Sequence, residues 1–243
     1  LSPWIYQYVN PLLSRNFKCV VKRRSESLQW QRKNLLSRFA NVAIVDIGAN
    51  VGQFVREVRS YKFEGTIYSI EPEISTFQKL KRLTEFDKKL HVFQRLVLEK
   101  NGTSRIFVYS KSELNSIFLR STQDIFGVGE VLSEQIVKSI TLDNFISEEV
   151  TEEEIFVKID TQGSELQVLN GLEKEIQKVK GIQVEFSLSP IYTNASSMKD
   201  TFEWIFDNHF KPISIVTERF NEALGLAFDV DLLAIRDKTN ELP

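Results

Sequence analysis

The stretch AIVDIGANVGQF, residues 43–54, decides how this 243-residue chain folds. An apolar run, residues 42–45, ends in Asp46, and Gly48 and Gly52 follow before a helical pattern. Gly48 can take a positive φ and turn the chain sharply. A buried strand that turns through glycines into a helix is typical of open α/β sheets, where ligands bind at the carboxyl ends of the strands. The stretch therefore predicts the first strand, turn and helix of a ligand-binding α/β domain.

Short apolar runs and helical patterns alternate along the rest of the chain. Such alternation predicts a mostly parallel sheet with helices on both faces. No helix separates the last two strands, so we expect them to pair antiparallel at one edge. The expected fold is a Rossmann-like sandwich with a seven-stranded sheet in residues 41–243, preceded by a short helical extension, residues 1–40. Predicted strands lie in residues 41–47, 65–72, 89–98, 104–110, 138–141, 154–160, 181–187, 211–218 and 226–236, and helices in 53–61, 74–86, 142–146, 164–177 and 198–210. We expect the stretch 111–134 to be irregular.

The composition is that of a globular protein, with 42% hydrophobic and 26% charged residues and a net charge of −2. This near-neutral charge offers no argument for a nucleic-acid partner. Residues 1–40 hold 8 of the 31 basic residues and only 1 of the 33 acidic ones. This basic extension is either a solvated helix docked on an acidic body, a lid or a dimer contact, or a patch for a membrane face or a lipid-linked saccharide.

Cysteine and histidine are scarce. Cys19 stands alone, so an intrachain disulfide is excluded and we expect a reducing, cytoplasmic compartment. His91 and His209 are far apart and, with one cysteine, form no recognisable zinc motif. No apolar run approaches the 18 residues or so of a membrane span, and we see no pattern of a secretory signal.

The acids at the first two strand ends indicate the kind of ligand. The pattern D-x-G-x-N-x-G differs from the dinucleotide fingerprint G-x-G-x-x-G, and Asp46 would repel a pyrophosphate. A carboxylate there suits the amino-acid end of S-adenosylmethionine. Glu71 ends the second strand and is placed to accept both ribose hydroxyls. Taken singly, the glycines also fit an ordinary turn and Glu71 a surface acid. The predicted cofactor contacts are Asp46, Gly48, Ala49, Asn50, Gly52 and Glu71.

With these residues the chain resembles the FkbM family of S-adenosylmethionine-dependent methyltransferases. The family pattern K-I-D-x-x-G-x-E-x-x-V-L-x-G is the most specific part of the match. The resemblance implies a class I methyltransferase fold and O-methylation of a hydroxyl on a sugar, glycan or natural product. This chain has Gln162 where the family often has Glu. The segments that carry the resemblance are VDIGANVGQF (45–54), SIEP (69–72), SITLDNF (139–145), VKIDTQGSELQVLNG (157–171) and VEFS (184–187).

Methyl transfer from a sulfonium mainly requires positioning, and a hydroxyl acceptor also benefits from a general base. Asp160 ends the strand expected beside the first one, so it is the leading candidate for that base or for a further cofactor contact. Lys158 lies on the same strand face and would hold Asp160 ionised. Helix capping is the alternative reading of Asp160.

Other residues are weaker candidates. Glu185 and Tyr192 are further catalytic candidates, with a salt-bridged edge acid and simple packing as the alternatives. Asp160 and Glu185 could supply two magnesium ligands, but no dense acidic cluster is evident and we predict no metal. Two other functions stay open: an NAD-dependent oxidoreductase with a variant Rossmann loop, and a non-catalytic cofactor-binding module. The substrate candidates are Asn115, Ser116, Gly163 and Glu165.

Overall fold

The computed structural model describes residues 27–121, 130–188, 192–221 and 226–236, and the account below concerns these. Short 3₁₀ turns occupy Arg82–Glu85, Ser112–Leu114 and Glu175–Lys178. The helices are α1 Leu28–Leu36, α2 Gln53–Ser60, α3 Ile74–Lys81, α4 Leu142–Glu149, α5 Glu165–Asn170 and α6 Met198–Asp207. The strands are β1 Val42–Ile47, β2 Ile67–Ile70, β3 Leu90–Phe93, β4 Leu96–Val97, β5 Gly102–Tyr109, β6 Val131–Ile140, β7 Glu154–Ile159, β8 Val179–Ser187, β9 Phe210–Asn221 and β10 Leu226–Arg236.

Seven strands form the main sheet, in the order β3-β2-β1-β7-β8-β10-β9. The first five are parallel, whereas β10 pairs antiparallel with both β8 and β9. This confirms the predicted seven-stranded α/β sheet with an antiparallel pair at one edge. Because β1 and β7 are neighbours, the carboxyl ends of β1, β2, β7 and β8 meet at one edge, where ligands bind in such folds.

Helices cover both faces of this sheet. Alternate side chains of the central strands point to opposite faces, so Val45 and Val157 enter one core while Ile44 and Phe156 enter the other. The first core takes Leu142, Phe145 and Ile146 from α4, Val168 and Leu169 from α5 and Ile205 from α6. The second takes Leu28, Leu35 and Leu36 from α1 and Phe54, Val55 and Val58 from α2.

A second sheet, with the order β4-β6-β5, adjoins the carboxyl edge. Its strand β6 pairs antiparallel with β5 from residue 131 onward, so the expectation of an irregular stretch up to Glu134 is wrong. Most of β6 is exposed and Val137 is its buried apolar residue, so the alternation that would mark a strand is weak in the sequence. Residues 122–129 of the predicted irregular stretch lie outside the described residues.

Helix α5 is shorter than the predicted helix over residues 164–177. It ends at Asn170, and a Cβ on Gly171 would lie 2.6 Å from the carbonyl oxygen of Leu98. The chain then turns around Asp143, whose carboxylate accepts backbone N–H bonds from three successive residues, Glu173, Lys174 and Glu175. A side chain 30 residues away in sequence therefore ends what looks locally like one amphipathic helix.

Helix α1, in the predicted extension, packs into the domain core. The Ser27 hydroxyl oxygen accepts a hydrogen bond from the backbone N–H of Trp30, as expected of a helix cap. Arg32 is only 2% exposed and pairs with Glu57, so this helix is docked on the domain with one of its basic side chains buried. Residues 1–26, with five of the eight basic residues and Cys19, lie outside the described residues, so a membrane, lipid-linked saccharide or dimer contact stays a prediction. Among the helices described, none has the length and apolar character needed to cross a membrane.

Candidate active site

A cavity of about 380 Å³ opens at the carboxyl edge of the sheet, a size typical of small-molecule sites. The second sheet and its following turn form one wall, with Ile106, Asn115 and Ser116. Helix α1 closes another side with Leu28 and Arg32. From the main sheet and its loops, the lining includes Gly48, Ala49, Asn50, Glu71, Asp160 and Glu185.

The turn after β1 is built on a glycine that nothing larger can replace without movement. Gly48 has φ +77°, and a Cβ there would lie 1.8 Å from the backbone carbonyl oxygen of Asp160. The N–H groups of Gly48 and Ala49 both donate to the carbonyl of Ile70. The turn is therefore held between β2 and β7, with its backbone lining the cavity.

Gly52 allows close packing at the start of α2. It precedes α2 with φ +86°, and a Cβ there would lie 2.5 Å from Leu83 and 2.9 Å from Leu80. Gly52 thus lets α2 approach the α3 region closely and is not part of the cavity lining. Its predicted contact with the cofactor is not supported by its position.

Glu71 lies at the end of β2 and is 5% exposed. Its Oε2 accepts from the N–H of Asn50 at 2.9 Å and its Oε1 from the N–H of Glu73 at 3.0 Å. Burial raises the pKa of Glu71 to about 7, although the two N–H donors act in the opposite direction. Each carboxylate oxygen has a second lone pair, so Glu71 can still accept two vicinal hydroxyl groups from a ligand in the cavity.

Asp46 is fully buried and is not among the residues that line the cavity, so its direct contact with the cofactor stays a prediction. Its Oδ2 accepts from the Ser69 hydroxyl at 3.3 Å, and its Oδ1 lies 3.4 Å from Lys158 Nζ. Burial raises the pKa of Asp46, partly offset by the ammonium of Lys158. Asp46 acts one layer below the cavity, where it holds Lys158 in place.

Lys158 lies between two carboxylates. Its Nζ donates to Asp160 Oδ2 at 3.2 Å and to the carbonyl of Gly48 at 3.4 Å. Burial opposes its charge, but the carboxylates of Asp160 and Asp46 outweigh burial and raise the pKa of Lys158. A charged ammonium therefore ties the strand ends of β1 and β7 to the glycine turn.

Asp160 lies at the cavity surface with 27% of its side chain exposed. Its Oδ1 accepts from Gln162 Nε2 at 2.9 Å, in addition to the bond from Lys158. Although burial favours the neutral acid, Lys158 and Gln162 hold the pKa of Asp160 below its usual range. The predicted pairing of Asp160 with Lys158 is present, and an ionised carboxylate faces the cavity. The carboxylate that caps the following turn is that of Glu165.

Glu185 faces Asp160 from the neighbouring strand. Burial and the nearby carboxylates of Asp160 and Asp231 raise the pKa of Glu185 far above its usual range. The two side chains share a hydrogen bond, with the protonated carboxyl of Glu185 as the donor. Two carboxylates this close cannot both ionise easily, so the pair holds one proton at neutral pH.

Tyr192 is buried behind Gln162 and is not part of the cavity lining. Its hydroxyl lies 3.0 Å from the carbonyl of Leu114 and 3.2 Å from Gln162 Oε1, and it can donate to either. Ser116 Oγ donates to the backbone carbonyl of Gln162 at 2.7 Å. Tyr192 is therefore connected to Asp160 through Gln162, and its catalytic role stays a prediction. Gln162 is a site residue that sequence reasoning missed, although its departure from the family pattern was a signal.

Tyr192→Phe is expected to lower kcat by about three- to tenfold, the effect of one lost hydrogen bond. The Phe ring keeps the packing while the Gln162 amide loses one partner. Steady-state methyl-transfer assays measure the change, with Tyr68→Phe, whose hydroxyl bonds Glu152 away from the cavity, as control. A loss of about a thousandfold would instead indicate that the hydroxyl takes part in proton transfer.

The four substrate candidates divide into two pairs. Asn115 and Ser116 line the cavity, and Asn115 Oδ1 accepts from the N–H of Tyr109 at 2.9 Å. Gly163 and Glu165 are not part of the lining, so their contact with a substrate stays a prediction. Gly163 has φ +108° and packs against Ala195, while Glu165 Oε1 accepts three bonds from its own turn.

Sequence reasoning also missed Arg32, Gln183 and Asp231, which line the deep end of the cavity. Arg32 Nη1 donates to Gln183 Oε1 at 2.6 Å, and Gln183 Nε2 donates to Asp231 Oδ1 at 2.6 Å. Gln183 and Glu185 are two residues apart on β8 and so share a face. The spacing from Glu185 therefore indicated that Gln183 could face the cavity. No residue near Arg32 in sequence indicated that Arg32 lines it.

The described residues contain no group of three or more His, Cys, Asp or Glu side chains placed to hold a metal ion. The ammonium of Lys158 lies between the carboxylates of Asp46 and Asp160. Metal independence stays a prediction.

Several solved structures are similar to this chain. TrmK of M. capricolum in complex with S-adenosyl-homocysteine has 14% identity and a TM-score of 0.48 over 85% of this chain and 68% of TrmK. The precorrin-6y C5,15-methyltransferase of Geobacter metallireducens GS-15 has 9% identity and a TM-score of 0.47 over 91% and 96% of the two chains. An rRNA methylase of Streptococcus thermophilus has 9% identity and a TM-score of 0.47 over 90% and 99%. Similarities this low say nothing about the substrate of this chain.

Among curated protein sequences, no significant match to this chain is found. The family model of the methyltransferase FkbM domain matches residues 46–212, well over half of the chain. The matched region spans the glycine turn, Glu71, Asp160 and Glu185. The chain belongs to the FkbM family of S-adenosylmethionine-dependent methyltransferases.

Proposed function

We propose that this chain transfers the methyl group of S-adenosylmethionine to a hydroxyl of a sugar, glycan or natural product. The observation that carries the proposal is the ionised carboxylate of Asp160 at the cavity surface. Three donors already reach it, from Lys158, Gln162 and Glu185. A carboxylate accepts about four hydrogen bonds, so the donors in the described part of the chain leave one position for an acceptor hydroxyl.

The cavity fits the cofactor in two places. Glu71 would accept the ribose hydroxyls, and the backbone of residues 48–50 would lie against the amino-acid end, where no side chain at Gly48 intervenes. When bound, S-adenosylmethionine supplies a methyl group on a positively charged sulfur, with a neutral thioether as the leaving group. The protein is left with the tasks of orienting the acceptor and moving its proton.

Asp160 performs both tasks in this proposal. Its carboxylate accepts the hydrogen bond of the acceptor hydroxyl, orients the oxygen, and takes up the proton as the oxygen is alkylated. Positioned bases of this kind contribute about 10²–10⁴-fold to rates. Lys158 and Gln162 hold the carboxylate by hydrogen bonds, so the acceptor meets a preoriented group.

The charge of the cavity favours a neutral, hydroxyl-rich acceptor. Asp160, Asp231 and the protonated Glu185 line it. The buried cations of the lining, Lys158 and Arg32, are already paired with carboxylates. Carboxylates accept hydrogen bonds from hydroxyl groups but repel phosphates, and nucleic-acid binding draws mainly on basic side chains. We therefore propose a glycan or small-molecule acceptor rather than RNA or DNA.

A labelled-methyl transfer screen tests the proposal. The purified chain and labelled S-adenosylmethionine are incubated with sugars, lipid-linked saccharides, phenols and RNA, and products are identified by mass spectrometry. We expect a methyl ether on a sugar or phenol hydroxyl. Methylation of RNA alone would overturn the acceptor class, and cofactor binding without transfer would support the non-catalytic module. Binding of NADH in place of S-adenosylmethionine would support the oxidoreductase.

We expect the affinity for S-adenosylmethionine to rise with pH between 6 and 8. The pKa of Glu71 is about 7, and its ionised form is the better acceptor for ribose hydroxyls. At pH 6 only about a tenth of Glu71 is ionised, so the Kd should be about tenfold higher than at pH 8.

The cofactor-free protein should lose stability as pH rises from 4.5 through 7, because in this range the folded state binds more protons than the unfolded state.

Calorimetry in buffers of different ionisation enthalpy measures both the Kd and the proton released on binding. Glu71→Gln should remove the pH dependence, whereas Glu113→Gln, at the same cavity but away from Glu71, should keep it. An affinity that is flat from pH 6 to 8 in the wild-type chain would show that Glu71 does not titrate in this range.

A further inference from the structure

Arg32 on helix α1 is one of the largest fully buried side chains in the described residues, at 2% exposure. Its guanidinium donates to Gln183, Glu57 and Tyr61 and lies 4.7 Å from the centre of the Phe54 ring. A buried charge is tolerated when it is fully paired. Arg32 is thereby fixed between α1, α2 and the sheet, at the deep end of the cavity.

Arg32 determines the orientation of the Gln183 side chain. A glutamine amide accepts at its oxygen and donates at its nitrogen. Because Arg32 Nη1 donates to Gln183 Oε1 at 2.6 Å, Nε2 is turned toward Asp231 Oδ1, also at 2.6 Å. The bond from Gln183 favours the ionised form of Asp231.

Asp231 and Glu185 are directly opposite each other in the β8–β10 pairing. Two facing acids compete for a proton, and an acid that already accepts a donor N–H is the poorer competitor. The proton then resides on Glu185, which donates to Asp160. The charged groups around Glu185 are Lys158 on β7, Asp160 just after β7, Asp229 and Asp231 on β10, and, beyond Gln183, Arg32 and Glu57.

We propose that Arg32 is a positioning residue for methyl transfer, acting through Gln183 and Asp231 to place the shared proton on Glu185 and leave Asp160 ionised at the acceptor position. Helix α1 then contributes a residue that positions the catalytic groups. Only the expected effect of Arg32 on turnover rests on the proposed function. The location of the proton is a property of the cofactor-free chain and can be measured without an acceptor.

Infrared spectroscopy of the cofactor-free protein tests the proton location. The carbonyl band of a buried protonated carboxyl should be present at neutral pH and lost in Glu185→Gln. In Gln183→Leu, which keeps the Arg32–Glu57 pair, the band should shift because the proton moves to Asp231. Adding Asp231→Asn should return the band to its wild-type position, because Glu185 is then again the acid that holds the proton. A wild-type chain without the Glu185 band, or a Gln183→Leu variant that keeps it unchanged, would overturn the inference.

Turnover provides the second measurement. Gln183→Leu and Arg32→Met should each lower kcat by about tenfold, the effect of one hydrogen bond to a charged group. The double variant should lower kcat by no more than the larger single effect, because both substitutions break the same chain of hydrogen bonds. The Kd for S-adenosylmethionine should stay within about threefold of wild type, which also reports that the variants are folded. Lys33→Met, exposed on the same helix, is the matched control.

The two proposals can fail separately. If no hydroxyl acceptor is methylated but the infrared bands behave as expected, the proposed function fails and the proton placement stands. If methyl ethers form but Gln183→Leu keeps both the Glu185 band and full kcat, Arg32 has only a structural role.

Discussion

Gly48→Ala is expected to abolish measurable binding of S-adenosylmethionine. The new Cβ would lie 1.8 Å from the carbonyl oxygen of Asp160 and 2.9 Å from its carbonyl carbon, so the turn or the end of β7 must move. A backbone oxygen at the end of a central strand cannot rotate away as a side chain can. The move would displace Asp160 and the cavity backbone together.

The same substitution should destabilise the fold by about 2–4 kcal/mol, from overpacking and from a side chain at φ +77°. Calorimetry measures binding and urea denaturation measures stability. Gly102→Ala is the control, because Gly102 also has a positive φ, +152°, but its Cβ would meet nothing nearer than Ser139 Oγ at 3.9 Å. It should lose about 1–3 kcal/mol from backbone strain alone and bind normally. Normal binding by Gly48→Ala would show that the turn is not held against Asp160.

Asp160→Asn is expected to lower kcat by about 10²–10⁴-fold. The amide has almost the same shape as the carboxylate, but it carries no charge and cannot take up a hydroxyl proton. It also removes one of the two carboxylates that pair with Lys158. The Kd for S-adenosylmethionine should change by less than about tenfold, because Glu71 and the glycine turn are untouched.

Asp160 is predicted to be either the general base or a contact of the cofactor. If Asp160→Asn stops methyl transfer but still binds S-adenosylmethionine, Asp160 is the base. Loss of cofactor binding comparable to the loss of kcat would assign Asp160 to the cofactor instead. Retention of kcat within about threefold would move the base elsewhere, with Glu185 as the next carboxylate in the cavity. Asp207→Asn, exposed at the end of α6, is the control and should match wild type in both measurements.

Local patterns were sufficient to predict the main sheet and several of the site's members. Each strand of that sheet is a short apolar run, and strand–helix alternation implies parallel neighbours. The period of two along a strand was enough to place Lys158 and Asp160 on one face. Local patterns failed at β6, where most residues are exposed, and at α5, which ends because of Gly171 and the distant Asp143.

By itself, the sequence determined the α/β fold, the glycine turn after β1, and the acids Glu71 and Asp160 at the strand ends, because these depend on neighbours within one strand or turn. Only the tertiary structure decided that Asp46 lies beneath Lys158, that Tyr192 reaches Asp160 through Gln162, and that Arg32 enters the site. The Arg32–Gln183 hydrogen bond joins residues 151 positions apart. Contacts of that separation depend on how helices and sheet pack, and no local pattern of residues records them.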